Sequence, residues 1–146
     1  MSITQHKPKK TIVKTMISDK SKDTVFEFFE DIKHMELGGA ISNVTEGLDG
    51  WHNMEHAVAG KARVKIVARN KELGVLDHLF EGAGLSWIVY VRIVGNGYGS
   101  VTTWTFIKPG GLTDFQFEEQ LKGFDMEIEG WNKHIANGSL PFAGNI

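Results

Sequence analysis

The spacing of apolar residues along this chain changes period three times, and each change predicts a different element. Thr11 to Ile17 alternates like a strand. In the following segment, SKDTVFEFFEDIKHMELGG, the residues Val25, Phe28, Phe29 and Ile32 recur at helical spacing. Ser21 or Asp23 can cap that helix and Gly38-Gly39 can stop it, which predicts one helix or two shorter pieces. From Ala40 to Lys108 the pattern becomes short β-branched and aromatic runs separated by Asp49-Gly50, Ala59-Gly60, NKELG, Gly82-Ala83 and Asn96-Gly97. Such punctuation predicts six consecutive antiparallel strands. Between Leu112 and Ala136 the helical period returns, with Phe117, Leu121, Phe124, Ile128, Trp131 and Ile135 on one stripe. That stripe must be buried against something, and the sheet is the surface available.

The turns also predict which side chains point inward. A two-residue loop at Asn96-Gly97 would set Val91 opposite Thr102, Val89 opposite Trp104 and Trp87 opposite Phe106, all on one face. A loop at Gly82-Ala83 would add Leu76, His78 and Phe80 to that face. The strand Lys61 to Arg69 agrees, because Ala62, Val64, Ile66 and Ala68 alternate with Lys61, Arg63, Lys65 and Arg69. It would pair Ile66 with His78 and Ala68 with Leu76, leaving Asp77 outside. Two registers remain for the preceding strand. A two-residue turn at Ala59-Gly60 turns Asn53 and Glu55 inward beside Val44, Leu48 and Trp51, and these apolar neighbours favour it. A three-residue turn, Val58-Ala59-Gly60, instead turns His52, Met54 and His56 inward.

Composition narrows the chemistry. At 146 residues, 41% hydrophobic and 23% charged, the chain suits one globular domain, expected over residues 1–146. A formal charge of −2 argues against nucleic-acid binding, which needs a basic surface. The glycines at 95, 97 and 99 lie between strands rather than before a helix, so they do not form a phosphate loop. No run is apolar enough for a membrane span and no signal peptide opens the chain, so a cytoplasmic location without membrane insertion is expected. The absence of cysteine excludes disulfides and thiolate chemistry. His52 and His56 would stand roughly 13 Å apart on a strand, and Asp77 and His78 would point to opposite faces, so neither pair suits a metal. No metal and no cofactor are expected.

The element order, together with the stretches ARNKELGVLDH and GNGYGSVTTWTFIKPGGLTDFQFEEQL, resembles the START-related (SRPBCC) superfamily, in particular its polyketide cyclase-like branch. The resemblance covers nearly the whole chain. It implies an α+β helix-grip, or Bet v 1-like, fold: a seven-stranded curved antiparallel sheet around a long C-terminal helix, with a short helical segment after the first strand. It also implies a cavity between sheet and helix. The expected function is binding a small hydrophobic or amphipathic ligand, lipid-like or aromatic, with walls from Phe80, Trp87, Val89, Thr102, Trp104, Phe106, Phe117, Leu121 and Phe124. His78, Asn53 and Glu55 would supply polar contacts.

Two other functions fit the resemblance. A cofactor-independent cyclase or dehydratase would use His78 for proton transfer with Glu55 as its partner through substrate. An Hsp90-activator-like interaction module would instead show an exposed partner patch. A homodimer is compatible with each.

Overall fold

A computed structural model describes residues 7–138. Seven strands form a single antiparallel sheet: β1 (Thr11–Ser18), β2 (Ile41–Glu46), β3 (Trp51–His56), β4 (Gly60–Asn70), β5 (Val75–Gly82), β6 (Leu85–Asn96) and β7 (Gly99–Ile107). Their order across the sheet is β1-β7-β6-β5-β4-β3-β2, so strands 2 to 7 form a meander and β1 closes against β7. The helical segment after β1 is indeed two pieces, α1 (Lys22–Glu30) and a 3-10 helix (Ile32–Gly38). Ser21 caps α1 by accepting from the Thr24 amide, and Asp31 both ends α1 and caps the next piece through the Lys33 amide. The C-terminal helix α2 (Asp114–Asn137) starts on a capping box between Thr113 and Gln116. Its left-handed cap at Gly138 ends it.

The expected fold is therefore the observed one, with corrections to register. The β6–β7 turn falls at Gly97-Tyr98, not Asn96-Gly97, so Val91 pairs with Trp104, Ile93 with Thr102 and Val89 with Phe106. The β5–β6 turn falls at Ala83-Gly84, both at positive φ, pairing Phe80 with Trp87 and His78 with Val89. Each slip is two residues, which keeps every side chain on its expected face. A bulge in β4 between Ile66 and Ala68 has a larger effect. Ile66 still pairs with His78, but Ala68 now meets Asp77 and Arg69 meets Leu76. Arg69, expected among the outward cations, ion-pairs with Glu30 of α1 at 3.5 Å.

The core has two parts. The larger joins Val25, Phe26, Phe28 and Phe29 of α1 to Val91, Ile93, Trp104 and Phe106 of the sheet and to the α2 stripe. The smaller lies under the 3-10 helix and contains Ile32, Ile41, Val44, Met54 and Val64. Helix α2 meets the 3-10 helix at two glycines, since a Cβ on Gly130 would lie 2.9 Å from the Leu37 carbonyl oxygen. Gly130 thus serves close approach, while Gly123 faces open space.

Candidate functional site

On the inner face of the sheet, side chains align in rows that cross the strands. One row is His52, Val64, Phe80 and Trp87, from β3 to β6. The next is Ile66, His78, Val89 and Phe106, from β4 to β7. Ile66, His78, Phe80, Trp87 and Val89 point toward the helical layer yet remain only half-buried. The residues further toward β7 are sealed: Thr102, Trp104 and Phe106 are buried, as are Phe117 and Leu121 of α2.

This divides the expected walls into two groups. Trp104, Phe106, Phe124 and Trp131 pack ring against ring, with centroids 4.9 Å apart for Phe106–Phe124 and 5.4 Å for both Trp104–Phe124 and Phe124–Trp131. Phe29 of α1 adds edge contacts to Trp104 and Trp131 at 5.4 and 5.5 Å. That end of the grip is filled by its own side chains, so Trp104, Phe106, Phe117, Leu121 and Thr102 are core. Phe80, Trp87, Val89 and His78, joined by His52 and His56, are instead only partly covered. Phe80 touches both Trp87, at 5.0 Å between centroids, and His56, at 6.2 Å.

Glu55 and Asn53 do not join this inner-face group. Both are exposed on the outer face, and Glu55 accepts from the Asn43 amide group at 3.1 Å. The register that turns His52, Met54 and His56 inward is the observed one, with Met54 buried and a three-residue loop, Ala57-Val58-Ala59, between the paired His56 and Gly60. Val44, expected inward beside Glu55, does face in, but without carrying Glu55 with it. A bulge in β2 at Asn43, whose φ is 56°, brings Ile41 and Val44 to the same face despite their odd spacing. Leu48 and Trp51, the other expected neighbours, face outward; Leu48 is exposed, and Trp51 lies under the Arg63 guanidinium at 3.8 Å.

Polar groups in the interior are few and short of partners. His52 Nδ1 and Trp87 Nε1, at the two ends of one row, are buried without a hydrogen bond among the described residues. Desolvation lowers the His78 pKa to about 4, with the Arg69 charge adding to it and Asp77 opposing it. The imidazole is therefore neutral near pH 7 and offers one donor and one acceptor. Asp77 itself has a structural task. Its carboxylate fills a gap in the β5–β6 ladder, accepting from the Val91 amide at 3.0 Å and pairing with Arg92.

A further inward group was absent from the sequence-based expectations. Glu127 of α2 is only 5% exposed and has neither a hydrogen bond nor an ion pair among the described residues. Burial alone pushes its carboxyl up to about 7. It lies three residues after Phe124 and four before Trp131, which places it on the apolar stripe of the helix. A charged residue at a stripe position was the signal available in the sequence.

Two hollows of about 490 and 420 Å³ are open to solvent and share Asn53 and Arg63. Most of their lining is outer-face or turn residues, including Trp51, Glu81 and Ala83-Gly84, and neither includes His78, Phe80, Trp87 or Val89. Among the described residues no group of three or more His, Asp or Glu side chains could hold a metal ion, and no helix is long and apolar enough to cross a membrane.

No protein-family model matches the chain, and no curated protein matches it. Solved structures do match its fold. The protein XoxI from Bacillus cereus superposes with a TM-score of 0.74 at 8% identity, covering 89% of this chain and 98% of that one. The Zhui aromatase/cyclase from a Streptomyces species gives 0.66 at 11%, covering 94% and 99%. The Aha1 dimer from Colwellia psychrerythraea gives 0.69 at 9%, covering 90% and 99%. At these identities the likeness is one of fold. The chain has the helix-grip fold that these structures share.

Proposed function

We propose that this helix-grip chain binds a small, largely apolar molecule with polar tips in the cleft between β3–β6 and α2. The observation that carries this reading is the half-buried inner row Ile66, His78, Phe80, Trp87 and Val89, beside the unpartnered His52 Nδ1 and Trp87 Nε1. Buried polar atoms without partners are costly, and a bound molecule that meets them recovers that cost. Phe80 and Trp87 supply apolar walls; His78, neutral near pH 7, supplies orientation without charge. Native mass spectrometry of freshly purified protein, with organic extraction of what is released, tests the proposal. A stoichiometric apolar adduct supports it, and a clean unliganded mass that persists after incubation with cell extract counts against it.

Proton-transfer catalysis is the second reading. It is favoured by a neutral acceptor on β5, His78, and a buried carboxyl on α2 that remains partly protonated at neutral pH, Glu127. Glu55, outward and exposed, has no part in it. His78→Gln would then abolish turnover of an accepted substrate while leaving its affinity within a few-fold; unchanged turnover excludes the role.

A further inference from the structure

The outer face of the sheet is divided in two. On β4 it carries Lys61, Arg63 and Lys65, with Glu55 and Glu81 opposite Lys61 and Arg63 on the flanking strands, a mixed-charge surface that water solvates well. Across β1, β7 and β6 the same face holds almost no charge. One row across these strands is Ile17, Val101 and Val94, and another is Val13, Thr105 and Tyr90. Between them stand two threonines and Arg92, the one charged side chain of this half, which is paired with Asp77. Val13, Ile17 and Val94 are 53%, 67% and 54% exposed, so more than half of each lies in water. Single exposed apolar residues are ordinary, but a continuous patch of them marks a surface that meets something else.

From this division we infer that the outer face of β1, β7 and β6 is a dimer interface, covered by the same face of a second copy of this chain. It lies on the opposite side of the sheet from the inner row and is independent of any ligand held there. Three features select this occupant. A face whose single charge is already paired offers nothing to a nucleic acid, an anionic membrane or a charged protein surface, and best matches a surface as free of charge as itself. Its size is also sufficient. β1 and β7 run eight and nine residues, and three strands of that length, roughly 4.8 Å apart, present a face of roughly 14 by 27 Å. With side chains standing on it, two such faces bury on the order of 1,200 Å², the lower end of the range for stable interfaces. Finally, the edges of the sheet are closed to strand addition, so a second copy must come face to face. Lys14 of the edge strand β1 points inward to Asp125 at 2.9 Å, and the Ile17 carbonyl already accepts from Asn132 at 3.2 Å. An inward charge of this kind discourages edge pairing, as does the bulge at Asn43 in β2, the opposite edge. Two twisted sheets pack with their strands within about 30° of each other, and a two-fold axis makes such a contact self-complementary.

Sedimentation equilibrium of the full chain, from about 1 to 200 µM, tests the assignment. A dimer that dissociates in the micromolar range is expected. Its Kd should stay within about two-fold between about 0.05 and 0.5 M NaCl, because no charges meet across the contact. Val94→Lys on β6 and Ile107→Lys on β7, both at exposed positions, should each weaken the dimer at least about 30-fold, since each copy then brings an unpaired ammonium into an apolar contact. Neither position is on the edge strand, so a dimer formed by edge pairing of β1 would survive both changes. Leu48→Lys, at a residue 84% exposed beside the charged half of the sheet, should leave the Kd within about two-fold. Far-UV circular dichroism identifies the variants that fold as the parent does. A chain that is monomeric at every concentration overturns the second copy as the occupant. A dimer that salt dissociates, that either folded variant leaves intact, or that Leu48→Lys weakens equally overturns the placement of the interface on this face.

Discussion

Replacing Glu127 by Gln should make the protein more stable in alkaline solution and leave it nearly unchanged in acid. Glu127 is 5% exposed, and burial raises its carboxyl pKa from 4.5 to about 7. A tenfold change in proton affinity is worth about 1.4 kcal/mol, so holding the ionised form in the fold costs about 3 kcal/mol. The sign follows from proton counting. Between pH 4.5 and 7 the folded state keeps a proton that the unfolded chain has released, so stability falls as pH rises through that window and the penalty is complete above it. Gln cannot ionise and escapes the penalty. The variant should therefore match the parent at pH 4 and exceed it by about 3 kcal/mol at pH 8.5, or roughly 10 °C in Tm for a domain of this size. Urea unfolding of both proteins at intervals across this range reads the difference directly. The diagnostic quantity is its slope with pH, because a constant offset reports only how Gln packs. A difference that does not change between pH 4 and 8.5 refutes the claim that Glu127 is desolvated and unpaired.

Other consequences are equally specific. His78, desolvated in the cleft, should titrate near pH 4 in an NMR experiment and remain neutral at pH 6; a midpoint near 6.5 would place it in bulk water. Gly74→Ala should cost more than about 3 kcal/mol, since φ is +70° and the new Cβ would lie 1.9 Å from the Ile93 carbonyl oxygen; a loss under 1 kcal/mol would refute that close approach. Asp77→Ala should cost about 2–3 kcal/mol by freeing the buried Val91 amide and the Arg92 guanidinium; an unchanged urea midpoint would show that the ladder gap is closed by other means.

The sequence made the architecture readable because every major element has its own period and its own stop signal. Ser21, Gly38-Gly39 and the α2 stripe mark the helices, and strand parity survived two misplaced turns since each slipped by an even number of residues. What failed was parity across bulges. Asn43 at positive φ and the extra residue after Ile66 each shift the faces of a strand, and neither leaves a distinctive local sequence. Glu55 and Asn53 were misplaced because a three-residue loop, not a two-residue turn, joins β3 to β4, while the bulge at Asn43 lets Val44 face in without them; Arg69 was misplaced by the second bulge. The division of the aromatic residues into sealed core and partly covered inner face was also out of reach, because it depends on where α1 and Phe29 insert. Glu127 was legible in principle, as an acidic residue on an otherwise apolar helix face.

The central claim, that a ligand enters between the sheet and α2, is tested most directly by the indole N–H signals of the four tryptophans. Titration with naphthylethanol, followed by NMR, should shift Trp87, whose buried Nε1 lacks a partner, and leave Trp51 on the outer face unmoved. A shift confined to Trp51 would put the binding site in the hollows around Arg63 and contradict the cleft.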